Sequence, residues 1–134
     1  MSDETLLAKG GGDATAVGVR FQAAVGAIIL ASVVAERPLD PRLCLGNSKP
    51  IWVRFETEAP IDDILVETDL GGFVEVQAKA SLASSRKPES EFAKTVGQIV
   101  RQYLACRTGN GGRGWDRPND PSRDRFLIGI CQSF

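Results

Sequence analysis

An α/β fold with a central mixed sheet flanked by helices is what this sequence predicts, and three observations predict it. A long, mostly apolar stretch without proline precedes three short β-rich runs. A second stretch with helical spacing follows them. The last run, RFLIGIC at 125–131, is continuously apolar, as strands buried in parallel pairing are. The predicted order is therefore helix, three-stranded meander, helix, strand.

Residues 1–13 are rich in glycine and read as a flexible lead. Residues 14–36, ATAVGVRFQAAVGAIILASVVAE, are apolar around most of a helical circumference, which predicts a largely buried helix ended by Pro38 and Pro41. Residues 51–57 (IWVRFET) are a short β-rich run between Pro50 and Pro60. Two more strands, Ile61 to Thr68 and Phe73 to Ala80, flank Asp69-Leu70-Gly71-Gly72, whose aspartate and paired glycines suit a tight turn. After the polar loop SLASSRKPES, Glu89 or Ser90 begins a helix that runs to Arg107, with Phe92, Val96, Ile99, Val100, Tyr103 and Leu104 spaced to pack on the sheet. Residues 109–124 are a long turn-rich loop. Because domains usually continue past such a final strand to a helix or a linker, residues 14–134 are expected to be the N-terminal part of a longer protein.

At 134 residues the chain suits one domain, and 43% hydrophobic with 25% charged residues is ordinary for a soluble protein. The apolar run Ala23 to Ala35 is shorter than the roughly 20 residues that span a bilayer, and MSDETLLAKGGGD lacks the basic and apolar regions of an export signal. Cytoplasmic residence without a membrane partner is expected. There is no histidine, which excludes Ser-His-Asp and Cys-His catalysis and His-ligated zinc. Cys44, Cys106 and Cys131 have no paired zinc spacing, and neither KGGGD nor GNGGRG is set as a phosphate-binding loop. Any catalysis must use carboxylates, lysine and metal. The charge is uneven: 7 basic and 12 acidic residues up to Lys79, against 9 and 5 beyond it. The second half is thus the one suited to a phosphate backbone, through Arg86, Lys87, Arg101 and Arg107. Trp52, Trp115 and Tyr103 read as packing residues.

The chemistry gathers between Glu56 and Lys79, where acidic residues head one strand and a Gln-x-Lys ends the next. A hard divalent cation takes oxygen ligands, and a neighbouring lysine can orient water and stabilise charge on a phosphate. Strand alternation puts Glu75, Gln77 and Lys79 on one face, with Gln77 and Lys79 about 7 Å apart. Hairpin register selects the acidic partner. If paired residues sum to an even number Asp63 shares that face, and if odd, Asp62 does.

The order of elements resembles the restriction-endonuclease-like PD-(D/E)xK superfamily. GGDATAVGVRFQ, FETEAPIDDILV and FVEVQAK are similar, more narrowly, to the double-stranded DNA endonuclease domains at the front of bacterial antiphage effectors. The resemblance implies a restriction-endonuclease-like core and a Mg²⁺- or Mn²⁺-dependent DNA endonuclease. Asp63 matches the metal-binding aspartate, Gln77 the variable acidic or amide position, Lys79 the catalytic lysine, and Gln22 a polar residue that some branches add to the metal site. Gln77 replaces the usual carboxylate, and Glu75, Glu56 or Glu58 is expected to compensate. The implied partners are double-stranded DNA, further copies of the chain, and a downstream sensor or oligomerisation domain. The alternative is a catalytically inactive nuclease-like module that binds nucleic acid or another subunit.

Overall fold

The sheet is built outward from the turn at Thr68–Gly72. Thr68 and Gly72 exchange main-chain contact across it, with Thr68 N donating to Gly72 O at 2.9 Å and Gly71 N to Thr68 O at 3.0 Å. Gly71 has φ +74°, a conformation side chains resist, and Gly72 lies so close to the Arg123 carbonyl that a Cβ has no room. The paired glycines are therefore fixed by the turn and by the loop packed over it.

The computed structural model describes residues 4–131, in which the chain forms an α/β fold with one mixed four-stranded sheet and two helices. Strands β1 (Pro50–Phe55), β2 (Ile64–Thr68) and β3 (Phe73–Lys79) are the antiparallel meander. Strand β4 (Arg125–Ile130) pairs parallel to β3, from Val74 opposite Arg125 to Lys79 opposite Ile130. A parallel neighbour requires a crossover, which helix α2 (Glu91–Thr108) supplies. Helix α1 (Glu4–Val34) covers one face through Val25 and Ile29, packed with Ile64, Val66, Val74, Val76 and Leu127. On the other face Cys106 and Ala105 of α2 meet Leu65, Phe73, Trp115, Trp52 and Phe126.

Five features depart from the sequence reading, the first being that β2 begins at Ile64 rather than Ile61, so Asp62 and Asp63 lie in the loop just ahead of it. Of the lead at 1–13, residues 1–3 lie outside the described residues and the rest continues α1, whose cooperative propagation carries it through Gly10–Gly12 at a cost of about 1 kcal/mol per glycine. Nor is α1 largely buried. Only 11% of Ala16–Val34 is buried, Ile28 is 72% and Val34 85% exposed, and the segment has the length and composition to cross a membrane at mean hydropathy 1.9. A single sheet face can cover only one stripe of a helix, however apolar the remainder is. Helix α2 is turned relative to expectation. Thr95, Gln102 and Cys106 are its buried residues, while Val96, Val100, Tyr103 and Leu104 are exposed. The inward polar side chains of α2 find partners off the sheet: Gln102 Oε1 accepts from Ile61 N at 3.0 Å, its Nε2 donates to Cys106 Sγ at 3.5 Å, and Thr95 Oγ1 donates to the Glu91 carbonyl at 2.8 Å. Finally, the α1–β1 connection contains a short 3₁₀ turn, Pro41–Leu43, capped by Asp40, and its Leu39, Leu43 and Leu45 join the α1-side core.

Candidate functional site

Register decides the acidic partner. Ile64 pairs with Val76 and Leu65 with Glu75, an even sum, so the next position outward sets Asp63 against Gln77. The side chains meet accordingly: Gln77 Nε2 donates to Asp63 Oδ2 at 2.7 Å, and the Ala78 main-chain N–H donates to the same oxygen at 2.8 Å. Asp62 is exposed and does not line the cleft; its carbonyl accepts from Thr57 N at 2.8 Å in the β1–β2 loop.

Asp63, Gln77 and Lys79 line one cleft, together with Gly18, Val19 and Gln22 of α1, Ala78, Ala80 and Ser81 at the end of β3, and Glu91 at the start of α2. Each wall has a local cause. Gln22 Nε2 donates to the Asp63 carbonyl at 3.1 Å, which ties α1 to the head of β2 and places the amide at the cleft. Ser90 caps α2 by accepting from Ala93 N at 3.1 Å, which starts the helix at Glu91. Glu91 Oε2 lies 3.7 Å from Lys79 Nζ. Nothing in the sequence pattern singled out Glu91, since a carboxylate in a first helical turn is common for reasons of the helix dipole alone.

Burial raises the Asp63 carboxyl above the usual range, the Ala78 N–H opposes that rise, and the negative Asp62 and Glu56 add to it. Gln77 is 3% exposed, and its Oε1 is buried without a hydrogen-bond partner. Since Nε2 is committed to Asp63, that carbonyl oxygen is the unspent acceptor of the site. Among the described residues no group of three or more His, Cys, Asp or Glu side chains converges on a metal position. Asp63 and Gln77 therefore offer one carboxylate and one amide oxygen, a set suited to Mg²⁺, which keeps several waters and takes one or two carboxylates with substrate phosphates.

The compensating carboxylates fall differently. Glu56, with φ +50°, is exposed at the end of β1 and borders an adjoining apolar trough formed by Val19, Ala23, Ala27, Leu30 and Phe55. Glu58 is exposed in the β1–β2 loop and is not among the cleft residues. Glu75 shares the face of Gln77 but is sealed beneath α2 at 1% exposure, with Oε2 unpartnered. Burial, and then the negative Asp124 nearby, push Glu75 up to about 8, with Arg117 pulling the other way. A carboxyl that stays protonated at neutral pH is a poor cation ligand, so Glu75 belongs to the core. Because its folded pKa lies above the unfolded value, stability falls as pH rises from about 4.5 to about 8 and levels off above that. We expect Glu75→Gln to melt close to the parent at pH 5 and several degrees higher at pH 8, a comparison that two thermal scans make; equal shifts at both pH values would contradict the assignment.

The basic candidates are scattered. Arg86, Lys87, Arg101 and Arg107 are all exposed. Arg86 and Lys87 lie in the loop between the cleft and α2, and Arg101 stands two turns from Lys94 on one side of the helix, whereas Arg107 is off that row. Other arginines of the basic half are structural: Arg117 pairs with Asp124, and Arg125 donates to the Leu43 and Cys44 carbonyls. Comparisons with known protein families, curated proteins and solved structures find no match to this chain.

Proposed function

We propose that this chain is a metal-dependent DNA endonuclease domain of the restriction-endonuclease-like PD-(D/E)xK type, acting in antiphage defence. The observation that carries the reading is the unpartnered Gln77 Oε1, buried beside the Asp63 carboxylate in the cleft that Lys79 also lines. An orphaned buried acceptor costs about 1–3 kcal/mol, and a bound cation would repair it. Asp63 and Gln77 would hold the ion, Mg²⁺ or Mn²⁺, which when bound supplies Lewis-acid polarisation of a phosphate oxygen and a more acidic water.

The remaining work falls to the chain itself. Lys79 reaches from the end of β3 with an ammonium that can orient the attacking water and balance charge on the pentacovalent phosphorus. Gln22 holds the Asp63 main chain, and through it the aspartate. Ala78 N–H holds the carboxylate in place, leaving Oδ1 for a ligand. Double-stranded DNA is the expected substrate, approached from the side where Arg86, Lys87 and Arg101 are exposed. The bare apolar outer face of α1 supports the accompanying expectation of assembly with further copies or a downstream domain.

Incubation of supercoiled plasmid with the purified chain tests this reading. Nicked or linear product with Mg²⁺ or Mn²⁺, and none with EDTA, is the expected result. Intact plasmid under all metal conditions, at concentrations that bind DNA, would favour the inactive nucleic-acid-binding module instead.

A further inference from the structure

Glu91 does more than begin a helix. Its two carboxylate oxygens span two ammonium groups, Oε2 lying 3.7 Å from Lys79 Nζ across the cleft and Oε1 lying 3.2 Å from Lys94 Nζ on the next turn of α2. The helix dipole accounts for a carboxylate in the first turn but not for its reach to a strand lysine. The positive neighbours, Lys94 first and then Lys79, hold Glu91 below the usual carboxylate range, so it is ionised at neutral pH.

We propose that Glu91 occupies the place of a substrate phosphate, and that DNA enters the cleft by displacing it from Lys79 and Lys94. The inference rests on the nuclease reading for Lys79. A carboxylate and a phosphodiester present the same feature to an ammonium pair: two anionic oxygens on one centre. The exchange is cheap in this setting. Glu91 is 63% exposed and Lys94 61%, so both can turn to water, and the 24% exposed Lys79 ammonium is the group an incoming phosphate must satisfy. Once it has turned, Lys79 faces the phosphate to be cut and Lys94 becomes a second phosphate contact. Glu91 thus acts as a positioning residue that holds Lys79 in the free protein and discourages weak anionic ligands.

The test compares Glu91→Gln with Glu89→Gln, which makes the same charge change two residues earlier on the exposed loop and outside the cleft. Affinity for a fluorescent duplex is read by anisotropy in EDTA, so that the result does not depend on cleavage. Glu91→Gln is expected to tighten binding about two- to fivefold, the scale of one exposed ion pair, while Glu89→Gln changes it little and Lys94→Ala weakens it. In the cleavage assay Glu91→Gln should lower KM with little change in kcat. Equal behaviour of Glu91→Gln and Glu89→Gln, or weaker binding by Glu91→Gln, would overturn the proposal. A wild-type protein that binds duplex but never cuts would defeat the nuclease reading separately, because the comparison in EDTA still decides the role of Glu91.

Discussion

Lys79→Ala is expected to lower plasmid cleavage by roughly a hundredfold to ten-thousandfold, the range over which positioned proton-transfer and charge-stabilising groups act. The fold should survive. Lys79 is the last residue of β3, its side chain is 24% exposed, and it pairs with the exposed Glu91 at 3.7 Å. Its main-chain carbonyl, which accepts from Cys131 N at 3.3 Å, is untouched by the substitution. Because the side chain is partly buried, a loss of up to about 1 kcal/mol is expected, short of unfolding the chain. Unchanged cleavage in a folded Lys79→Ala protein would place the chemistry elsewhere.

The largest effect on stability is expected far from the cleft, at Asp124→Ala. Asp124 is 5% exposed and accepts from Phe73 N at 2.8 Å, from Asp120 N at 2.7 Å and from Arg117 through both terminal nitrogens at 2.7 and 2.8 Å. It thereby fastens the loop before β4 to the start of β3. Arg117 continues the join by donating to the Gly71 carbonyl at 2.8 Å and lying over the Phe73 ring at 5.2 Å. Removing the carboxylate leaves a half-buried guanidinium and two inward N–H groups without their acceptor, and breaking such a pair costs about 3–5 kcal/mol. Denaturant titration reads this directly. A loss under about 1 kcal/mol would mean that water replaces the carboxylate, and that the loop is not fastened as described.

Much of this architecture was legible in the sequence because its signals are local. The Asp-Leu-Gly-Gly turn, the alternation in FVEVQAK and the apolar RFLIGIC run each state a strand, and the crossover helix follows from the need to make β4 parallel. The even register was one of two open choices, and the Gln77–Asp63 hydrogen bond selects it. What remained hidden depends on partners distant in sequence. The exposed side of α1 looks like core because composition does not count how many faces a four-stranded sheet can cover. The rotation of α2 turns Gln102 inward, where it accepts from the Ile61 main chain, and leaves the row formed by Val96, Val100, Tyr103 and Leu104 outside. Glu91 was invisible for the same reason, since its significance comes from Lys79, twelve positions earlier.

The central claim is that Asp63 and Gln77 jointly hold a divalent cation beside Lys79. Crystals grown with Mn²⁺ and measured for anomalous scattering test it most directly. The account predicts one anomalous peak in the cleft, within about 2.3 Å of both Gln77 Oε1 and an Asp63 carboxylate oxygen, and its loss in Asp63→Asn. A cleft without that peak at saturating Mn²⁺, or an ion bound elsewhere with Gln77 Oε1 still unpartnered, would contradict it.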